Sequence, residues 1–116
     1  MPRYVILQHE TADGQHFDFM LETGGALKTW TLPQPPISGV EMDAVALPDH
    51  RLAYLDYEGP ISGGRGSVTR WDRGTYEVEC QSELELIVRL SGEKLVGRAA
   101  LRHSSVAQNL WHVCFM

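Results

Sequence analysis

Residues 15–22 read Gln15-His16-Phe17-Asp18-Phe19-Met20-Leu21-Glu22, in which apolar and polar side chains alternate. Side chains on an extended chain point to opposite faces in turn, so Phe17, Phe19 and Leu21 share one face. The other face carries His16, Asp18, Met20 and Glu22. The segment therefore predicts a β-strand with one packing face and one face that presents ligands. A plain solvent-facing polar stripe stays open as a second interpretation.

The same alternation recurs along the whole chain, and no stretch sustains a helical apolar period. Candidate strands are residues 3–8, 16–22, 26–32, 43–47, 52–58, 67–71, 75–80, 83–90, 94–103 and 109–115. Three triplets predict hairpin turns with a glycine at positive φ: Thr23-Gly24-Gly25, Asp72-Arg73-Gly74 and Ser91-Gly92-Glu93. Short strands at this spacing predict an all-β fold, a small closed or partly closed antiparallel β-barrel.

Length and composition predict one domain over residues 1–116. The chain has 43% hydrophobic and 22% charged residues and a formal net charge of −5, which suits a globular core. Cys80 and Cys114 lack C-x-x-C spacing, which indicates reduced thiols in the cytoplasm. No signal-peptide or membrane-span pattern occurs. The acidic balance argues against binding nucleic acid through bulk charge but leaves room for a local phosphate site.

Three residues near the N-terminus have the chemistry of metal ligands. His16 and Asp18 at positions i and i+2 of a strand lie about 6–7 Å apart at Cα, near enough to converge on one cation. His9 supplies a third ligand if its strand neighbours theirs. Two histidines and one carboxylate suit Mn, Fe or Zn with open positions for water or substrate. Taken on spacing alone, ordinary surface residues remain the commoner explanation.

Several short motifs occur in a familiar order. They are Gln8-His9; His16-Phe17-Asp18-Phe19-x-Leu21-Glu22; Leu27-Lys28-Thr29-Trp30; Asp49-His50-x-Leu52-x-Tyr54; Tyr57-Glu58-Gly59-x-Ile61; Trp71-Asp72-x-Gly74-x-Tyr76; and residues 94–101 followed by Trp111. Together they resemble the 3′-phosphoesterase domain of bacterial DNA ligase D over roughly residues 3–115. Each motif alone is weak, whereas the collinear set is fairly specific.

The resemblance implies a β-barrel and a metal-dependent activity that removes 3′-terminal ribonucleotides and 3′-phosphates from nucleic-acid ends. Carried over by position, His9, His16 and Asp18 are the expected metal ligands, and His50 and Tyr54 are the expected catalytic contacts to the scissile phosphate. Mn²⁺ is the expected metal, with Zn²⁺ or Co²⁺ as alternatives. Expected partners are nucleic-acid 3′ ends or another phosphoester, a separate ligase or polymerase, and no membrane.

Three positive charges that the family pattern leads us to expect are missing. The corresponding residues are Met20, Gln34 and Met42, and each lost arginine–phosphate pair removes roughly 1.5–3 kcal/mol of binding. Other cations that can reach the site from new directions are Arg51, Arg65 and Arg70. The alternative hypothesis is therefore a catalytically impaired metal-binding or interaction module.

Overall fold

The computed structural model describes residues 1–116 and contains nine β-strands and one short 3₁₀ helix. The strands are β1 (Arg3–Thr11), β2 (Gly14–Thr23), β3 (Ala26–Leu32), β4 (Glu41–His50), β5 (Gly59–Pro60), β6 (Ser67–Gln81), β7 (Glu85–Gly92), β8 (Val96–His103) and β9 (Leu110–Phe115). The 3₁₀ helix covers Leu52–Leu55, between β4 and β5. No helix has the length and apolar character needed to cross a membrane.

The sheet closes on itself. Its strands are hydrogen-bonded in the order β1-β2-β3-β4-β9-β8-β7-β6, and β6 pairs back with β1. This makes a ring of eight strands in which every neighbouring pair is antiparallel. The short β5 pairs with β6 outside the ring. The prediction of an all-β fold with a closed antiparallel sheet is confirmed.

The interior of the ring is one apolar core to which all eight ring strands contribute. Phe17, Phe19 and Leu21 point into it, as the alternation of β2 predicts. Trp30 lies at its centre with no exposed surface. Because β6 pairs back with β1, every ring strand has a hydrogen-bonded neighbour on both sides and the ring has no free edge strand.

A second apolar cluster covers the outer face of the ring beside β1, β2 and β6. It consists of Val5, Leu7, Met20, Leu27, Leu55 and Val68, with Tyr54 and Ile61 packed against it. Leu55 belongs to the 3₁₀ helix and Ile61 to the Gly-rich loop 57–66, so both segments fold back over the sheet. The outer face of β2 is therefore covered near Asp18 and Met20, and the solvent-facing interpretation of this face is wrong there.

Three local predictions are wrong. Residues 52–58 do not form a strand, because Leu55 turns inward to join the outer cluster and the chain coils as a 3₁₀ helix. Residues 72–74 do not form a turn, since β6 runs without interruption from Ser67 to Gln81. The positive φ predicted for Gly74 and Gly92 is also wrong, because both serve close approach: a Cβ would collide with the Ser91 carbonyl at Gly74 and with the Tyr4 hydroxyl at Gly92. The turn at Gly24-Gly25 is confirmed, with φ values of 59° and 87°.

Candidate active site

The pairing of β1 with β2 brings the three predicted metal ligands together. His9 and His16 are direct cross-strand partners, and Asp18 follows two residues later on the same face of β2. His9 Nδ1 and His16 Nε2 lie 3.0 Å apart. The Asp18 carboxylate is 3.3 Å from His16 Nε2 and 3.6 Å from His9 Nδ1.

These distances fit a single bound ion. Ligand atoms about 2.1 Å from a metal and separated by 90–110° lie about 3.0–3.4 Å from one another. The ligand atoms of His9, His16 and Asp18 all lie within 4.8 Å of one another, and the three pairwise distances fall in or near the expected interval. Small side-chain adjustments would bring the group onto one ion, so the three residues form a group that can hold a metal.

The Asp18 carboxylate lacks the hydrogen bonds that a buried charge normally has. Its side chain is only 5% exposed, and its Oδ1 atom has no hydrogen-bond partner although His16 Nε2 is near. A buried unpaired carboxylate oxygen is costly unless a cation or donor satisfies it. The unpaired Oδ1 faces His16 Nε2 and the second carboxylate oxygen faces His9 Nδ1, which supports a cation as the missing partner.

His9 is held in the orientation that a metal ligand needs. Its Nε2 lies 2.6 Å from the backbone carbonyl of Arg65, an acceptor that requires the proton on Nε2 in the neutral ring. The Nδ1 lone pair is then directed toward His16 and Asp18. Metal-binding histidines are commonly oriented by such a bond from their second nitrogen.

His50 approaches the same region from the end of β4. Its Nδ1 donates to the carbonyl of Pro48 over 2.9 Å, which leaves Nε2 free to face a ligand. Tyr54 lies beside it with the ring centroids 5.8 Å apart. Tyr54 belongs to the 3₁₀ helix and not to the strand predicted over residues 52–58, yet its side chain still meets that of His50.

One cavity joins these groups. It has a volume of about 130 Å³ and contains four of the five predicted site residues, while His16 stands just outside it against His9. Its lining is Leu7, His9, Asp18, Met20, His50, Tyr54, Ile61, Arg65 and Val68. A wider surface pocket adjoins it and shares His50, Tyr54 and Arg65. A small anionic group in the cavity would therefore lie beside two of the candidate metal ligands, His9 and Asp18, and beside His50.

Of the three positions without the expected positive charge, only position 20 lies at this cavity. Met20 lines it and is 1% exposed. Met42 points into the interior core instead, and Gln34 lines neither the cavity nor the adjoining pocket. Position 42 therefore lies in the interior of the ring and not at the cavity.

The Gly-rich loop 57–66 forms part of the site, and the sequence pattern did not predict this. Its Arg65 carbonyl holds His9, and the next residue, Gly66, has a φ of 86° and packs directly on the backbone of Glu10. A Cβ at position 66 would collide with that backbone. The concentration of glycines in residues 59–66 was the only sequence signal of this close approach.

Comparison with known proteins agrees with this geometry. The family model described as DNA Ligase D 3′-phosphoesterase domain matches residues 7–103. The chain is 40% identical over 106 residues to the multifunctional non-homologous end joining protein LigD of Pseudomonas aeruginosa, covering 83% of this chain and 12% of that protein. It is 37% identical over 105 residues to the protein of the same name from Mycobacterium bovis, covering 83% of this chain and 14% of that protein.

A third relative extends the match slightly. The LigD protein of Mycolicibacterium smegmatis is 35% identical over 115 residues, which cover 85% of this chain and 15% of that protein. The chain thus spans 12–15% of the length of these relatives. The family match and the identity over most of the chain show that this protein belongs to the DNA ligase D 3′-phosphoesterase domain family.

Proposed function

We propose that the protein is a metal-dependent phosphoesterase that removes 3′-terminal ribonucleotides or 3′-phosphates from nucleic-acid ends, with Mn²⁺ as its metal. The observation that carries the proposal is the cavity that joins the His9, His16 and Asp18 group to His50 and Tyr54. Membership of the family supports the class of reaction. The chain's net charge of −5 favours a substrate held at its end by this one local site over one held along its length.

His9, His16 and Asp18 would hold the metal. When bound, a divalent ion there polarises a phosphoryl oxygen and lowers the pKa of a bound water. The buried Asp18 carboxylate supplies the negative charge of the ligand set, and the Arg65 carbonyl keeps the His9 ring turned toward it. The covered apolar surroundings of Leu7 and Met20 exclude bulk water and strengthen these electrostatic contacts.

His50 would act as the proton donor to the departing oxygen. In the hydrolysis of a 3′-phosphate, water attacks phosphorus, the bond from phosphorus to the 3′ oxygen breaks, and that oxygen takes a proton to become a 3′-hydroxyl. Because Nδ1 of His50 is occupied by the Pro48 carbonyl, the proton that can be given is on Nε2. The Tyr54 ring packs against His50, and its hydroxyl would orient the phosphate. A 3′-hydroxyl is what ligases and polymerases require, so a separate ligase or polymerase is the proposed partner.

The test is a manganese-dependent assay on a primer–template that carries a 3′-terminal ribonucleotide or a 3′-phosphate. We expect trimming by the wild type, loss of trimming and of metal binding in His16→Ala, and loss of trimming with metal binding retained in His50→Ala. His112→Ala is the matched control, because His112 pairs with Asp43 away from the cavity. An inactive wild type with manganese bound would contradict the proposal.

A metal-binding or interaction module without catalysis is the second candidate function. The observation that favours it is Met20, which puts an apolar side chain in the cavity wall where the family pattern leads us to expect a phosphate-binding arginine. This candidate predicts metal binding with no turnover on either substrate, which the same assay distinguishes.

A further inference from the structure

The arginines of this protein divide into two groups by their partners. Five form ion pairs with carboxylates at 2.5–3.6 Å: Arg3, Arg73, Arg89, Arg98 and Arg102. Arg51, Arg65 and Arg70 form no ion pair with a carboxylate. These three guanidinium groups are therefore the ones whose positive charge is not already neutralised by the protein.

Only one of the three lines the cavity that contains Asp18. Arg65 borders both this cavity and the adjoining surface pocket. Arg51 borders the surface pocket but not the cavity. Arg70 borders neither, and its backbone nitrogen donates to Glu58. Position therefore favours Arg65 as the cation that an anion in the cavity would meet.

The guanidinium of Arg65 makes two hydrogen bonds to Ser62 and leaves one terminal nitrogen without a partner. Its Nε donates to the Ser62 carbonyl over 2.8 Å, and one terminal nitrogen, Nη2, donates to the Ser62 hydroxyl over 3.3 Å. The other terminal nitrogen, Nη1, has no partner in the protein. These bonds limit the freedom of a long side chain, so less conformational entropy is lost when the free nitrogen binds an anion.

The backbone of the same residue is fixed to the candidate metal ligands. The Arg65 carbonyl accepts from His9 over 2.6 Å, and Gly66 packs on the backbone of β1. One residue thus orients the ring of a candidate metal ligand through its carbonyl and carries a positive charge on its side chain at a position that lines the same cavity.

We propose that Arg65 binds the substrate phosphate in this protein and takes, from the Gly-rich loop, the position left without a cation by Met20 on β2. The inference rests on the proposed function, whose phosphoester it would hold. Arginine suits this task because its fork of donors can bind two phosphate oxygens at once. The ligand class is a phosphate monoester or diester next to the metal.

The test uses the manganese-loaded protein and two readouts. The first is the affinity for inorganic phosphate, which cannot turn over, measured by calorimetry at low salt. We expect Arg65→Gln to weaken phosphate binding about 10- to 100-fold. Arg65→Lys should have an intermediate effect, because lysine keeps the charge but cannot donate two parallel hydrogen bonds to one phosphate. Arg102→Gln, which changes an arginine outside both pockets, should bind phosphate as the wild type does. Manganese affinity, measured in parallel, reports whether the loop still holds His9.

The second readout is trimming of a 3′-phosphate primer, which separates this inference from the proposed function. Arg65-dependent phosphate binding without trimming by the wild type would support the phosphate site and contradict the phosphoesterase proposal. Equal phosphate affinity in wild type and Arg65→Gln, at equal manganese affinity, would overturn the role of Arg65 even if both trim. Weak phosphate binding by the wild type itself would overturn it as well.

Discussion

The main electrostatic cost of the candidate site is the burial of the charged Asp18 side chain. Its carboxylate is buried beside Met20 and Leu7, and Oδ1 lacks a hydrogen bond. A buried charge without full compensation destabilises the folded state, and the destabilisation is relieved when a cation binds. If the proposed metal site is correct, the same residue would lower the stability of the metal-free protein and raise its affinity for metal.

Substitution of Asp18 should move these two properties in opposite directions. We expect Asp18→Asn to lower manganese affinity at least about 10-fold while leaving the metal-free protein as stable as the wild type or more stable, because a buried charge is removed at nearly constant volume. Calorimetric metal titration and thermal unfolding with and without manganese measure both effects. Destabilisation of the metal-free protein by Asp18→Asn would show that the carboxylate is satisfied without a metal.

At this scale the sequence predicted which of the candidate residues come together, but not the contacts that orient them. Period-two alternation placed His16 and Asp18 on one face of a strand, and cross-strand pairing with His9 followed once β1 and β2 were neighbours. The contact between His9 and the Arg65 carbonyl joins residues 56 positions apart. Such a bond depends on where a loop comes to rest, and local periodicity carries no information about that.

The 3₁₀ helix is the element that places Tyr54. Its Leu55 is 4% exposed and packs among Val5, Leu7 and Met20. The residue after it, Asp56, pairs with Arg3 of β1 at 2.8 Å. Because both ends of this contact are exposed, the ion pair contributes little to stability and the buried leucine is the main anchor.

Leu55→Ala should therefore loosen the helix. We expect a loss of about 2–3 kcal/mol in the free energy of unfolding, because the substitution opens a cavity in the outer cluster. Trimming activity should fall further than stability explains, since Tyr54 would lose its fixed position beside His50. Urea unfolding and kcat measured well below the unfolding midpoint test the two effects.

Leu52→Ala provides the matched control for this experiment. Leu52 lies in the same helix but is 37% exposed and outside the cluster, so its substitution should cost below about 0.5 kcal/mol. Equal effects of the two leucine substitutions would refute the anchoring role of Leu55.

Strands were predicted better than the segments that cover them. Residues 26–32 were predicted with the bounds that the structure gives to β3, and apolar and polar side chains alternate in its second half, Thr29–Leu32. Residues 52–58 were also predicted as a strand, yet residues 52–55 form a 3₁₀ helix, because burial of Leu55 against the outer sheet face outweighs local strand preference. The glycines at 74 and 92 suggested turns, but at 74 the glycine serves close contact between β6 and β7.

At the scale of the whole molecule, the ring closes where β6 pairs with β1, and we call this pairing the closing seam. A buried hydrogen-bonded group, Tyr4 and Asp72, lies at this seam. Tyr4 on β1 donates to Asp72 on β6 over 2.7 Å, and Asp72 also accepts from the backbone nitrogens of Lys94 and Leu95. One carboxylate thus joins the two strands that close the ring to the turn between β7 and β8.

That residues 1–116 make up one domain stays a prediction.

The charge of the whole chain bears on how substrates bind. With a net charge of −5, the protein should contact few backbone phosphates, so affinity should depend on the end group and little on length. We expect KM for a 3′-phosphate primer to change less than about twofold when the duplex is doubled in length, with a shallow salt dependence equivalent to one or two phosphates. A steep salt dependence would indicate an extended nucleic-acid surface.

The Tyr4 phenol at the closing seam should make the free energy of unfolding depend on pH in the alkaline range. Burial, and then the hydrogen bond to Asp72, raise the pKa of the Tyr4 phenol well above its ordinary value. The folded protein therefore keeps a proton that the unfolded chain releases above about pH 10. This contribution is fully present below that pH and is lost as the pH rises, by up to about 1.4 kcal/mol per pH unit.

Tyr4→Phe isolates this effect. It should lower the free energy of unfolding near pH 7 by about 1 kcal/mol, because the bond to Asp72 is lost, and it should make the decline above pH 10 shallower by one proton. Urea unfolding between pH 7 and 11 measures both changes. If wild type and Tyr4→Phe lose stability in parallel above pH 10, the phenol at the seam is not the group that makes the closed ring sensitive to alkali.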